Sequence, residues 1–187
     1  DLPDLVANIF TFNGDKERIK EMLLAVQNDE YGPGSISFDK IIPMPPELNI
    51  ESSGRSKTDP QVIRNIQMYG APGWYDWRRE HWNSKWDAGG YEKGKDYSQC
   101  DKLAFWTAWN EPTPVIRKLS EMYPDIEFTH QWAGEKLGHY CGTAVYLAGE
   151  QTEYELMQEN EYSRAFAQDV WNQLNGNGMP LEQEQAM

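Results

Sequence analysis

Two stretches of the chain each carry the pattern of a strand, a helix and a further strand, and this repetition constrains the fold most strongly. In the first stretch, residues 5–12 and 35–42 alternate in polarity, while residues 19–26 carry apolar side chains at helical spacing. Glycine and proline at 31–34 and at 43–46 end the helix and the second strand. The pattern predicts a compact β–α–β unit.

The second stretch repeats this order, with strand-like alternation at residues 102–109 and 126–132. The segment between them carries apolar side chains at helical spacing: Val115, Ile116, Leu119 and Met122. Residues 138–147 predict a fifth strand, joined to the fourth by a turn near 134–136. Two such halves predict an α+β fold with an antiparallel ferredoxin-like sheet, both long helices on one face and the fifth strand at an edge.

Residues 59–100 lie between the two halves and predict a helical insertion. Asp59 and Pro60 are residue types favoured at the N-cap and the first position of a helix. At the other end of the chain, a helix is predicted over 153–174, within a single domain of residues 1–175. The remaining residues, 176–187, are predicted to be a flexible tail.

The insertion contains a run rich in tryptophan and arginine at residues 74–86 (WYDWRREHWNSKW). The spacing of Tyr75, Trp82 and Trp86 predicts a single helix with these rings on one face. Such rings either cover the open sheet face as core or form a recognition surface, since Trp, Tyr and Arg dominate binding hot spots. The candidate interaction residues are Trp74, Trp77, Arg78, Arg79, Trp82, Trp86 and Trp109.

The net charge of −13 disfavours nonspecific nucleic-acid binding, which depends on Lys and Arg. The strand at 102–109 contains aromatic side chains of the kind that stack bases, but the basic–glycine–aromatic pattern of RNA-reading sheets is absent. From Glu150 onward there are eight acidic residues and one basic residue. This segment leaves open the alternative of an acidic, DNA-mimicking inhibitor.

Four segments resemble, in order, those of the YubB-like, Api-type family of phage and plasmid proteins: residues 8–14, 38–48, 74–88 and 107–109. The resemblance extends from about residue 8 to residue 147, and the tryptophan-rich segment is its most specific part. Members of the family often have a Trp-Cys pair before the first strand, whereas this chain has Asp-Leu-Val at 4–6. The resemblance implies a ferredoxin-like domain and an origin in a mobile element, and it supplies no catalytic residues.

Residue types that bind metals are few and poorly spaced. A turn at 135–136 would place His130 opposite Cys141, with His139 nearby, but no CxxC or HxxxH spacing supports a metal site. We therefore predict neither a metal nor a cofactor. With only one other cysteine, Cys100, a disulfide framework is excluded, which indicates free thiols in a reducing compartment.

No apolar run approaches the length of a membrane span, and no apolar leader opens the chain. We therefore expect a cytoplasmic protein without membrane contact. The function predicted first is a non-enzymatic module that binds a protein partner through the tryptophan-rich insertion or an edge strand. The second alternative is a metal-dependent or hydrolytic enzyme that uses His81, His130 and His139, and the third is the DNA mimic.

Overall fold

A computed structural model describes residues 3–176, in which five antiparallel strands form one sheet in the order β2-β1-β3-β4-β5. The strands are β1 (Leu5–Asn13), β2 (Leu103–Ala108), β3 (Glu127–Gly134), β4 (Cys141–Leu147) and β5 (Glu150–Leu156). The helices are α1 (Lys16–Val26), α2 (Pro60–Tyr69), α3 (Trp74–His81), α4 (Thr113–Met122) and α5 (Glu161–Asn175). The predicted α+β class is confirmed. The predicted tail lies outside the described residues from residue 177 onward.

Strand β1 is an interior strand of the sheet, with β2 on one side and β3 on the other. Val6 and Phe10 point to one face, Ala7 and Ile9 to the other, and none of the four is more than 1% exposed. A strand that is apolar on both faces requires a layer of structure on each side. The sheet is therefore the middle layer of the fold.

Helices α1 and α4 cover the first face of the sheet, as predicted. They share a core cluster with Val6, Phe10 and the aromatic side chains of the neighbouring strands. The helical contributions are Met22, Val26, Val115, Ile116 and Leu119. Met122, which we expected to point inward, is 38% exposed. The insertion completes this layer and so covers the sheet.

Helix α5 covers the second face with Ala167, Val170 and Leu174. The strand residues beneath it are small or short, which lets the helix approach the sheet closely: Ala7, Ile9, Ala104, Ala133 and Cys141. The indole Nε1–H of Trp171 donates to the carbonyl of Gly134 at 2.9 Å and fixes the helix against the end of β3.

The predicted strand at 35–42 is wrong, because this segment contains a 3₁₀ turn, Phe38–Lys40, and joins no sheet. Both edges of β1 are already paired with β2 and β3, so the segment cannot pair with the strand that precedes it in the predicted β–α–β unit. Its apolar side chains Ile36 and Phe38 are nevertheless fully buried. The alternation of apolar residues correctly indicated that these side chains are buried, but they are buried without strand pairing.

The predicted helix at 153–174 is also wrong in its first part, where β5 pairs with β4 instead. The chain reverses between Leu147 and Glu150 through Ala148 (φ 51°) and Gly149 (φ 82°). Two positive φ values at the centre of a two-residue loop are typical of a type I′ hairpin turn. The helix begins only after Asn160, whose side chain accepts from the backbone N–H of Ser163.

The tryptophan-rich run does not form one long helix. Helix α3 ends at His81, Trp82 is its C-cap, and Asn83 has a positive φ of 58°. The predicted shared face of Tyr75, Trp82 and Trp86 is therefore wrong, because the helical phase is lost at Asn83, before the third of these residues. Helix α2 does begin as predicted, with the Asp59 side chain accepting from Gln61 N–H.

Candidate interaction surface

Trp109 follows β2 directly and has a backbone conformation that is rare for its residue type. Its φ is 73°, and its N–H donates to the carbonyl of Asp4 at 2.8 Å. The Thr107 hydroxyl donates to the carbonyl of Asn110 at 2.6 Å and so closes the turn. A left-handed conformation costs an L-residue about 1–2 kcal/mol. The contacts of the turn offset this cost and hold the Trp109 ring half-buried at the surface.

Two cationic side chains flank the Trp109 ring. The Arg79 guanidinium lies 5.7 Å from the ring centroid, and the Lys85 ammonium lies at the same distance. Tyr75 packs edge-to-face against Trp109, with ring centroids 6.2 Å apart. We call Tyr75, Arg79, Lys85 and Trp109 the Trp109 surface. Cation–π contacts of this kind hold both cations in place while their charges stay accessible to solvent.

Three hollows adjoin this surface. A hollow of about 290 Å³ lies between Arg79, Asn83 and Trp109, and one of about 440 Å³ lies between Trp74, Lys85 and the 51–53 loop. A third, of about 210 Å³, lies on the other side of Trp109 and is lined by Leu5, Lys136, His139 and Tyr140, among others. Aromatic, cationic and anionic side chains line these hollows, and the anionic ones include Glu51, Asp76 and Glu80.

Two of the seven predicted interaction residues lie in the core. Trp77 is 4% exposed and stacks on His81 with ring centroids 4.4 Å apart. Trp82 is 1% exposed, and its Nε1–H donates to the carbonyl of Ile42 at 2.9 Å. For these two side chains the geometry matches the first sequence interpretation, in which the rings cover the sheet.

The other five predicted residues remain within reach of solvent. Arg79 is exposed, while Trp74, Arg78, Trp86 and Trp109 are half-buried. Tyr75 and Lys85 were not among the predicted residues, although both contact the same ring. Their only sequence signal was membership of the 74–86 run.

Arg78 and Asp87 form a separate, partly buried polar group beside the insertion. The Arg78 guanidinium lies between the rings of Trp74 and Trp82, at 5.1 and 5.0 Å. Burial lowers the pKa of Arg78, and burial raises the pKa of Asp87. The Asp87 carboxylate accepts from the Phe38 N–H and from the Ser37 hydroxyl, each at 2.7 Å. These bonds hold the 35–42 segment against the insertion, which indicates a structural role for Asp87.

The expected pairing of His130 with Cys141 is wrong. His130 lies opposite Ala144, and Cys141 lies opposite Ala133 on the other face of the sheet. The connection between β3 and β4 is longer than the predicted turn, because Gly134 N–H donates to the carbonyl of Tyr140. The two side chains lie on opposite faces of the sheet and therefore cannot bind the same metal ion.

The three histidines each have a separate set of contacts. His130 Nε2–H donates to Asn8 Oδ1 at 2.9 Å, and burial lowers its pKa to about 3. His81 Nδ1 lies 2.9 Å from the carbonyl of Trp77, and His139 Nδ1 lies 3.3 Å from Glu159 Oε2. Within residues 3–176, no group of three or more His, Cys, Asp or Glu residues is placed to hold a metal ion.

The aromatic strand β2 offers no open platform for bases. Phe105 is fully buried in the first core cluster, and Trp106 packs against α5 and contacts Gly89.

Among the described residues, no helix is both long and apolar enough to cross a membrane.

The fold is α+β with one antiparallel sheet, and the Trp109 surface lies where β2 ends. Residues 81–173 match a family model described as the ferredoxin-like domain in Api92-like protein. The match begins at the end of α3 and extends into α5, and it confirms the predicted ferredoxin-like class. No curated protein and no solved structure matches the chain with significance.

Proposed function

We propose that this chain is a non-enzymatic module that binds a protein partner through the Trp109 surface. The observation that carries the proposal is the placement of Trp109 itself. Its ring is held at the surface by a backbone conformation that costs free energy, and such strain concentrates at functional sites. Trp77 and Trp82, by contrast, are used to fill the core.

The composition of the surface supports a protein partner. Trp, Tyr and Arg are the residue types that contribute most to binding free energy at protein interfaces. Trp109, Tyr75 and Arg79 bring all three types into mutual contact. Arg79 and Lys85 both contact the Trp109 ring, and the carboxylates of Asp76 and Glu80 line the adjoining hollow, so the surface offers groups of both charges to a partner.

Contacts of two histidines support a role without catalysis. His130 is fully buried and bonded to Asn8, and His81 is stacked on Trp77. Both imidazoles thereby contribute to packing within the fold.

The biological setting is part of the proposal. The sequence resemblance to phage and plasmid proteins supports an origin in a mobile element. Two cysteines that do not form a disulfide with each other support a cytoplasmic location. Sequencing of the flanking genes tests the first point, because integrase, replication or conjugation genes should lie beside this one.

Quantitative affinity capture from a lysate of the source cells tests the binding function. The bait proteins are the wild type, Trp109→Asn, Arg79→Ala and the control Leu24→Ala, which changes an exposed apolar residue on α1. Asparagine tolerates the left-handed conformation at position 109, so the first variant removes the ring and keeps the turn. Each capture is repeated with nuclease to remove partners that are bound only through nucleic acid.

The proposal predicts one stoichiometric protein that survives nuclease, is retained by Leu24→Ala and is lost from both surface variants. Equal capture by all four baits would show that the partner binds elsewhere. Absence of any stoichiometric protein from the wild-type capture would reject the proposed function.

A further inference from the structure

Strand β5 ends the sheet on one side, and its outer edge is open within the described residues. In the order β2-β1-β3-β4-β5, the last strand pairs only with β4. The opposite edge of the sheet is partly covered, because Gly89 and Trp106 exchange two backbone hydrogen bonds of 3.0 Å. Of the two edges, β5 is the one that offers a run of backbone groups to another chain.

The hydrogen-bond pattern shows which groups point outward. Met157 N–H donates to the carbonyl of Cys141 at 3.0 Å, so this pair is a hydrogen-bonded pair of the antiparallel ladder. Such pairs alternate with pairs whose backbone groups point away from the neighbouring strand. By this alternation, the N–H and C=O groups of Tyr154 and Leu156 point away from β4 and toward solvent.

The two faces of β5 differ in character. Tyr154 and Leu156 are 50% and 54% exposed, and Tyr154 stacks on Trp132 with ring centroids 5.6 Å apart. Glu153 and Glu155 alternate with them and point to the opposite face, beside Val145 and Thr143 of β4. The edge is therefore apolar on one face and acidic on the other.

The acidic face has no cationic partner in residues 3–176. Glu150, Glu153 and Glu155 are exposed, and none of them forms an ion pair. Cross-strand pairs of opposite charge stabilise a sheet, and like charges opposite one another destabilise it. A second copy of β5 in antiparallel pairing centred on Glu153 would place that residue opposite itself. The charge pattern therefore opposes self-pairing and favours a basic strand.

We propose that β5 is a second binding site, which accepts an extended segment of a partner protein as a sixth strand. The segment carries Lys or Arg at alternate positions, opposite Glu153 and Glu155, and apolar residues between them, opposite Tyr154 and Leu156. Backbone hydrogen bonds to Tyr154 and Leu156 supply the pairing, and the alternating side chains select the partner. This site does not include the Trp109 surface, and either site can fail without the other.

Titration of the whole chain with three synthetic octapeptides tests the site. The first alternates lysine with valine and threonine, the second has glutamate in place of lysine, and the third is the lysine peptide with every second amide N-methylated on its pairing edge. The readouts are the dissociation constant and the hydrogen-exchange protection of the Tyr154 and Leu156 amides. The variant is Glu153→Lys with Glu155→Lys, and the control is Glu17→Lys with Glu92→Lys, which changes two exposed glutamates that form no ion pair.

We expect the lysine peptide to bind at least about tenfold more tightly than the glutamate peptide and to protect the amides of Tyr154 and Leu156. N-methylation abolishes binding, the Glu153/Glu155 variant reverses the preference, and the control variant and Trp109→Asn keep it. Failure of the lysine peptide to bind would overturn the proposal and leave the glutamates as a device that prevents edge pairing. Equal binding of the N-methylated peptide would also overturn it, because the attraction would then be electrostatic without strand pairing.

Discussion

Trp82 and Trp109 belong to the same aromatic-rich part of the sequence, yet their rings have opposite surroundings. Trp82 follows the last turn of α3, where the chain turns inward and places the indole against Phe38 with ring centroids 5.8 Å apart. Trp109 follows β2, where a left-handed turn directs the ring outward. At the scale of the residue, backbone conformation decides which tryptophan fills the core and which one is available for binding.

Replacement of these two side chains should therefore have unequal effects on stability. Trp82→Ala leaves a large cavity and should lower the free energy of unfolding by about 3–5 kcal/mol. Trp109→Asn removes a half-buried ring but suits the left-handed backbone, so the change should stay within about 1 kcal/mol. Urea unfolding of both variants measures this difference, and similar losses in the two would contradict the assignment of core and surface.

His130 should make stability depend on pH. Its folded-state pKa of about 3 lies below the ordinary value of 6.5, so the unfolded chain binds a proton first as the pH falls. The stabilisation is complete above pH 6.5 and is lost as the pH falls toward 3. The loss between pH 7 and pH 5 should be about 2 kcal/mol for this group.

Urea unfolding across that pH range measures the His130 contribution. His130→Gln keeps a donor toward Asn8 but does not titrate, so its stability should depend less steeply on pH than that of the wild type. His139→Gln, which replaces an exposed histidine, serves as the matched control. An unchanged slope in His130→Gln would contradict the assigned burial of the imidazole.

At the scale of the element, the spacing of apolar residues correctly predicted several strands and helices. The strands at 5–12 and 102–109 and the helices α1, α2 and α4 were recognisable because the sequence period matches the observed structure. The structure of the 35–42 segment was not recognisable in this way. Alternating apolar residues indicate burial, but they do not show whether a neighbouring strand has a free edge for pairing. Strand β5 was missed because its exposed glutamates are poor strand formers in isolation.

The candidate surface was predictable only in part, because the sequence does not show which aromatic rings tertiary packing buries. The 74–86 run identified the region, but the end of α3 at His81 divides it into buried and exposed rings. That division depends on the packing of Trp82 beneath Ile42, a contact between residues that are distant in sequence.

The hairpin between β4 and β5 gives a test at the level of the element. Ala148 has a φ of 51°, which an L-residue without a polar side chain adopts at a cost. Ala148→Asn creates the Asn-Gly pair favoured in type I′ turns and should stabilise the protein by about 0.5–1 kcal/mol. Ala148→Val should have the opposite effect, and thermal unfolding of both variants checks the sign. Destabilisation by asparagine would contradict the turn type.

At the scale of the whole molecule, β1 connects the two layers of the core. Val6 and Phe10 pack under α1 and α4, while Ala7 and Ile9 pack under α5. Removal of residues 150–187 would delete both β5 and α5 and expose the second face of β1. Such a deletion therefore tests folding, and the role of the acidic residues of β5 requires substitutions instead.

This arrangement predicts a single cooperative unfolding transition. Tryptophan fluorescence reports both layers, because four of the eight tryptophans lie in the insertion while Trp106 and Trp171 pack on the second face. Far-ultraviolet circular dichroism reports all the helices. Because both layers depend on β1, the two signals should give the same urea midpoint. Separate midpoints would show that α5 and the insertion unfold independently.

We propose that Trp77 and Trp82 fill the core while Trp109 stays at the surface, where it binds the partner. Hydroxyl-radical footprinting of the free protein and of the captured complex, read by mass spectrometry, tests this division most directly. We expect rapid oxidation of Trp109 in the free protein, little oxidation of Trp77 and Trp82, and protection of Trp109 in the complex. Equal oxidation of all three rings, or an unprotected Trp109 in the complex, would contradict it.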